Sequence, residues 1–220
     1  RKESETERPL ASEDKVNAWA LLLIDIQRDF YTEIAVDFPH YAEHVARLLE
    51  FSREVHLPVV HVRAEFAPDM SDWMIRYRAK GAIPCVVGTE GAEVMDFAHP
   101  LEGELTLVKK RFSAFCRTDL DAVLRTRGVG TLVIGGLVTS ICVGLTVADA
   151  YQRDYAPLVI RECVADEPSR HEAALSYMDG FIADVIQLDR FIANCTRWRD
   201  EDRARDARLP YDFTRFKTCC

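Results

Sequence analysis

No stretch of this chain approaches the roughly 18–20 consecutive apolar residues that a membrane-spanning helix requires. Its opening residues, Arg1-Lys2-Glu3-Ser4-Glu5-Thr6-Glu7, have no apolar core and do not read as a secretory signal. Positive charge is scarce too. With 28 Lys and Arg against 36 Asp and Glu, the net charge is −8, so no basic stripe is available to neutralise a phosphate backbone. Nucleic acid and membrane are therefore not expected partners. Seven cysteines are present, but there is no Cys-x-x-Cys pair and no Cys/His cluster at metal-ligand spacing, so neither a disulfide framework nor a metal is expected. An odd set of thiols without a pairing pattern fits a reduced, cytoplasmic setting. Cys219-Cys220 lacks the usual four-residue lipidation signal, because Lys217 stands fourth from the end. Repeats and low-complexity segments are absent.

What remains is a chain of 220 residues, 48% hydrophobic and 29% charged, which suits one soluble globular domain with a substantial core. Short β-branched or apolar runs alternate with helical patterns. Strands are expected over 18–25, 59–63, 105–108, 132–134, 158–160 and 185–186. Helices are expected over 41–55, 118–127, 141–154 and, as the last core helix, 169–182. That alternation predicts a three-layer α/β/α domain around a mostly parallel six-stranded sheet. Residues 1–16 read as a flexible arm, 17–195 as the domain and 196–220 as a charged tail. That tail would be a solvated helix or an arm that grips a neighbouring subunit. Residues 65–100, with Pro68, Pro84 and Pro100, exceed an ordinary connection and are expected to hold a short helix and a lid.

Three strand ends carry chemistry. Ala20-Leu21-Leu22-Leu23-Ile24 stops at Asp25, Leu105-Thr106-Leu107-Val108 runs into Lys109, and Thr131-Leu132-Val133-Ile134 leads through Gly135-Gly136 to Cys142. Carboxyl ends of parallel strands share one edge of a sheet, where open α/β sheets bind ligands. A thiol at a strand-to-helix junction also faces the positive end of a helix, which favours thiolate. Each residue has a plainer reading beside this one. Cys142 would be a buried structural thiol, Asp25 a turn cap or a partner of Arg28, and Lys110 a solvated neighbour of Lys109. His61, His99 and His171 read as surface or structural groups. Phe30, Phe112 and Phe115 read as core, although Phe30 follows Asp25 closely enough to line a site.

Taken in order, Leu22-Leu23-Ile24-Asp25-Ile26-Gln27-Arg28-Asp29-Phe30, Lys109 to Leu120 and Gly135 to Ala150 resemble the isochorismatase-like cysteine hydrolase family, over residues 17 to 190. The resemblance implies a Rossmann-like fold and a triad of Cys142 as nucleophile, Asp25 as general acid/base and Lys109 as electrostatic partner. It also implies an oxyanion hole from the backbone amides of Val138 and Cys142, a cis peptide at Leu137-Val138, and a homo-oligomer (dimer or tetramer) sharing side chains between sites. His61-Val62-Arg63-Ala64-Glu65-Phe66 lacks the Asp-x-His metal motif of the nicotinamidase branch. The thiol favours C–N hydrolysis over vinyl-ether cleavage. The expected activity is therefore metal-independent, cofactor-free hydrolysis of a small amide, ureido or carbamoyl compound. Arg63, Trp73 and Arg76 are candidates to hold that substrate through a carboxylate. Two alternatives stand: a vinyl-ether hydrolase with Cys142 as bystander, and a non-catalytic binding module on the same fold.

Overall fold

The computed structural model describes residues 18–205; the N-terminal arm, the end of the tail and Cys219 and Cys220 lie outside the described residues. The first strand, β1 (Ala18–Ile24), is apolar without alternation because helices cover both of its faces. Trp19, Leu21 and Leu23 enter one core layer, and Ala20, Leu22 and Ile24 enter the other. Five more strands pair in parallel around it: β2 (Val59–Ala64), β3 (Leu105–Lys109), β4 (Val129–Leu137), β5 (Ala156–Ala165) and β6 (Asp184–Ile186). The sheet order is β3-β2-β1-β4-β5-β6.

The helices are α1 (Arg28–Ile34), α2 (Tyr41–Glu54), α3 (Ile75–Lys80), α4 (Leu120–Thr126), α5 (Gly144–Tyr151), α6 (Pro168–Met178) and α7 (Leu188–Ala204). One layer takes Tyr41, Val45, Leu48 and Leu49 of α2 with Phe191, Cys195 and Trp198 of α7. The opposite layer takes Leu120 and Leu124 of α4, Val147 and Ala150 of α5, and Leu175 and Met178 of α6. This is the expected three-layer architecture, with every strand pair parallel. No helix among the described residues is long and apolar enough to cross a membrane.

The chain reverses its direction of growth across the sheet between β1 and β4, so a crevice opens at their carboxyl ends. Gly136 makes the approach of those two strands possible. Its φ is +135°, and a Cβ there would sit 2.1 Å from the Ile24 carbonyl oxygen. Only glycine combines that dihedral with that contact.

Two helices differ from expectation. α1 was not anticipated because it buries only Ile34 and so carries no periodic apolar signal. α7 was not anticipated as a core helix because charge dominates its sequence, yet Leu188, Phe191, Cys195, Trp198 and Asp202 are buried at helical spacing. It continues across residue 195, where a tail was expected to start. Asp202 accepts a hydrogen bond from Trp19 Nε1 at 2.7 Å, which satisfies both polar groups inside the layer. Strands β4 and β5 also run longer than expected. Arg161 and Glu162 look like a break in β5, but Arg161 pairs with Glu172 on α6 and Glu162 accepts the Leu188 amide.

A half-buried polar knot ties the loop before β3 to the sheet. Glu104 accepts Arg53 Nε and Nη2 at 2.8 Å each and the Leu101 amide at 2.9 Å, and it lies 2.8 Å from His61 Nε2. Burial alone would raise the Glu104 carboxyl. The bonds from Arg53, Leu101 and His61 outweigh it and hold the group at about 2, below its ordinary 4.5. A depressed carboxylate stabilises the fold above its unfolded value and loses that contribution as pH falls toward the folded one. Denaturant titrations at several pH values are therefore expected to show the wild type losing up to about 3 kcal/mol more than Glu104→Gln on acidification through that window. Equal acid sensitivity of the two proteins would dismiss the knot as a source of stability.

Candidate active site

The crevice is built from three strand ends. Asp25 follows β1 directly, with its amide bonded to the Val62 carbonyl of β2 and φ at +51°. Aspartate tolerates this left-handed region better than most side chains, and its occurrence here bends the chain sharply off the strand. Lys109 ends β3 beside Ala64 of β2, and its side chain is on the face shared by Leu105 and Leu107. Lys110 points the other way and pairs with Asp72 at 2.9 Å. After β4 the Leu137–Val138 peptide is cis, where the resemblance implies it, and a π-helical turn (Thr139–Val143) carries Cys142 into α5.

These three side chains meet. Lys109 Nζ lies 2.7 Å from Asp25 Oδ2 and 3.5 Å from Cys142 Sγ, and it donates to the Arg111 carbonyl at 3.0 Å. Asp25 is fully buried, and its contact with Lys109 is an ion contact rather than an aligned hydrogen bond. Burial raises the Asp25 carboxyl, with Lys109 opposing. Burial alone would lower the Lys109 ammonium, but the charge of Asp25 and the contact with Cys142 outweigh it and raise it. Cys142 departs from the sequence expectation. Burial, then the charge of Asp25, push its thiol up despite Lys109, which favours the neutral thiol over the thiolate. The position is 95% enclosed, and a π-helical turn replaces the regular helix N-terminus that was expected to favour the anion.

Neighbouring residues hold this geometry. Gln27, inside a matched motif but given no role from sequence, donates to the carbonyls of Ala64 and Ala92 and accepts the Ala64 amide, each at 2.8 Å. It pins the end of β2 to the turn after Asp25. Thr146 donates to the Cys142 carbonyl at 2.6 Å and accepts the Ala114 amide at 2.9 Å, linking the turn that carries Cys142 to the segment after Lys109. On its other side the turn is held by Asp166, which accepts the Ser140 amide at 2.9 Å and the Ser140 hydroxyl, and by His171 Nδ1, 2.9 Å from Thr139 Oγ1. His171 thus has a structural place, and so does His61 in the polar knot. Sequence offered no signal for these contacts beyond polar residues inside apolar surroundings.

A cavity of about 710 Å³ opens above the triad, lined by Lys109, Cys142 and Val138 together with Phe30, Tyr77, Phe112 and Arg111. Phe30 lines it as expected. Arg63, Trp73 and Arg76, contrary to expectation, are not on its wall. Arg63 follows Val62 on β2 and faces the opposite side of the sheet, where it pairs with Glu65 at 2.8 Å. Trp73 is buried in a small core of the lid with Phe66 and Cys85, its Nε1 bonded to the Ala67 carbonyl at 2.7 Å. Arg76 is exposed on α3, the short helix expected within residues 65–100. Among the described residues no group of three or more His, Cys, Asp and Glu could hold a metal ion.

Comparison with known proteins agrees with this architecture. A sequence model of the isochorismatase domain matches residues 19–190. The maleamate amidohydrolase of Pseudomonas putida is 34% identical over 179 residues, covering 76% of this chain and 82% of that protein. Among solved structures, an isochorismatase family protein from Desulfovibrio vulgaris is similar at a TM-score of 0.75 and 31% identity, over 82% of this chain and 100% of the other. N-carbamoylsarcosine amidase from Thermoplasma acidophilum is similar at a TM-score of 0.67 and 30% identity, over 78% and 97%.

Proposed function

The chain belongs to the isochorismatase family, and from that premise we propose that it is a metal-independent cysteine hydrolase of small amide, ureido or carbamoyl compounds. The observation that carries the reading is the convergence of a carboxylate, an ammonium and a thiol within 3.5 Å of contact at the base of one cavity. The relatives named for amide and carbamoyl substrates support the same bond type.

The proposed chemistry uses Asp25 as carboxylate and Cys142 as thiol. Substrate binding presents its carbonyl carbon to Cys142 Sγ. As the C–S bond forms, the thiol proton passes to Asp25, and the carbonyl electron pair moves onto oxygen. Backbone amides of Val138 and Cys142 are the proposed donors to that oxyanion, and Lys109 balances the negative charge on the thiolate and the substrate. Collapse breaks the C–N bond, with the Asp25 proton going to the leaving nitrogen. Water then adds to the acyl-thiol, Asp25 taking one proton and returning it to sulfur as the carboxylic product departs. A thiol with a raised pKa suits this order, because deprotonation is coupled to attack. The same reading includes a homo-oligomer, as the family resemblance implies.

The test is ammonia release from a panel of primary amides, monoamides of short dicarboxylic acids and N-carbamoyl amino acids, with intact-protein mass spectrometry after acid quench. Turnover of at least one class with an acyl adduct on Cys142 is expected. Turnover of isochorismate, with no ammonia from any amide or carbamoyl compound, would move the protein to the ether-cleaving reading.

A further inference from the structure

The cavity above the triad is lined by four cations, and three of them are accounted for. Lys109 is committed to Asp25 and Cys142. Lys80 is exposed at the end of α3, and Arg170 is exposed beside Glu167 at 3.9 Å. Arg111 is different. It is half-buried, two residues beyond Lys109, and no carboxylate lies within ion-pair distance of it among the described residues. Its Nη1 donates to two backbone carbonyls, Asp72 (3.1 Å) and Lys110, which fix the plane of the guanidinium. Nε and Nη2 make no hydrogen bond among the described residues. Most other arginines of the described chain are paired with an acid, as Arg28, Arg53, Arg63, Arg125, Arg153 and Arg161 are.

The acids on the cavity wall do not fill this gap. Asp29 accepts the Cys85 amide at 2.7 Å and is packed against Gly91, Asp166 accepts from Ser140 and the Glu167 amide, and Glu33 is exposed at the rim. A guanidinium held flat by two carbonyls, with donors to spare and no internal anion, is suited to a planar carboxylate taken in two-point fashion. An uncharged substrate would leave it facing an otherwise largely apolar wall of Phe30, Met74, Ile83 and Phe112.

We propose that Arg111 anchors a carboxylate carried by the substrate, so that the enzyme prefers anionic amides, such as monoamides of short dicarboxylic acids or N-carbamoyl amino acids, over neutral amides of the same shape. This rests on the hydrolase reading above and adds to it the residue that selects the substrate class.

The test compares succinamate with levulinamide, its neutral isostere, in the wild type, Arg111→Met and Arg111→Gln, and measures succinate binding by calorimetry in parallel. Gln retains a donor for the two backbone carbonyls but no charge, so it separates anion selection from support of the lid. For the wild type, kcat/KM is expected to favour succinamate by about 10- to 100-fold, the range for a hydrogen bond to a charged group. In both variants that ratio is expected to fall toward one, with the loss mainly in KM, and succinate binding is expected to weaken by a similar factor. A wild type without preference, or a preference kept by Arg111→Gln, overturns the assignment while leaving the hydrolase reading intact. Succinate binding that depends on Arg111, with no ammonia from either amide, retains the anion site and rejects the hydrolase reading. Neither binding nor turnover rejects both.

Discussion

Alanine at position 142 is expected to lower kcat for amide hydrolysis by about 10⁴-fold or more, with the fold retained. The size of the effect follows from what Sγ does. In the proposed mechanism it is the one atom that bonds to the substrate carbon, so without it the carboxylate, ammonium and backbone amides are left to assist water alone. The substitution removes a single buried atom from a position packed against the core layer of α5, so the structural cost is small beside the kinetic one. Serine is expected to rescue little, because its hydroxyl is far harder to deprotonate than a thiol already held as the neutral acid. The measurement is ammonia release under saturating substrate with circular dichroism as the control for folding. A Cys142→Ala protein that still turns over within tenfold of wild type would make Cys142 a bystander and remove the covalent mechanism.

The second large effect is on stability. Lys109 and Asp25 are both buried and in ion contact, so Lys109→Met leaves a carboxylate in a dry site with no opposite charge. Breaking a buried pair from one side typically costs about 3–5 kcal/mol, and that is the loss expected in denaturant titration near neutral pH. Activity falls with it, since the thiol then loses its electrostatic partner. Adding Asp25→Asn to Lys109→Met is expected to recover much of the stability but none of the activity. The pH dependence has a definite sign. Burial already raises the Asp25 carboxyl, and removing Lys109 takes away the charge that opposes this. A carboxyl raised in the folded state favours folding only at pH below its unfolded value, and that contribution is lost as pH rises. The deficit of Lys109→Met relative to wild type is therefore expected to shrink on acidification and to be greatest at neutral pH. A constant deficit across pH would assign the loss to packing of the lysine stem instead.

The strand ends show why part of the site was legible. An apolar run that stops at a charged residue marks both a doubly covered strand and the edge where it emerges, so Asp25, Lys109 and Cys142 are readable without coordinates. Phe30 is readable by proximity to Asp25. Gln27 stands in the same motif, yet its three bonds reach Ala64 and Ala92, residues far along the chain, and nothing local announces them. Arg63 was misplaced for a related reason: one residue along a strand changes the face of the sheet, and only the pairing of β2 with its neighbours fixes which face holds the cavity. Trp73 was misplaced because a lid large enough to have its own small core consumes its aromatic side chains internally.

Sequence alone determined the layer order of the domain, the parallel sheet and the set of strand-end residues, Asp25, Lys109 and Cys142, that meet, because these depend on local hydrophobic runs and on residue types at strand ends. Tertiary structure alone decided which cations line the cavity and which way the thiol is pushed. Both depend on distances between segments remote in sequence: Arg111 meets the Asp72 carbonyl and no carboxylate among the described residues, and Cys142 is pushed toward the thiol by burial and Asp25 together.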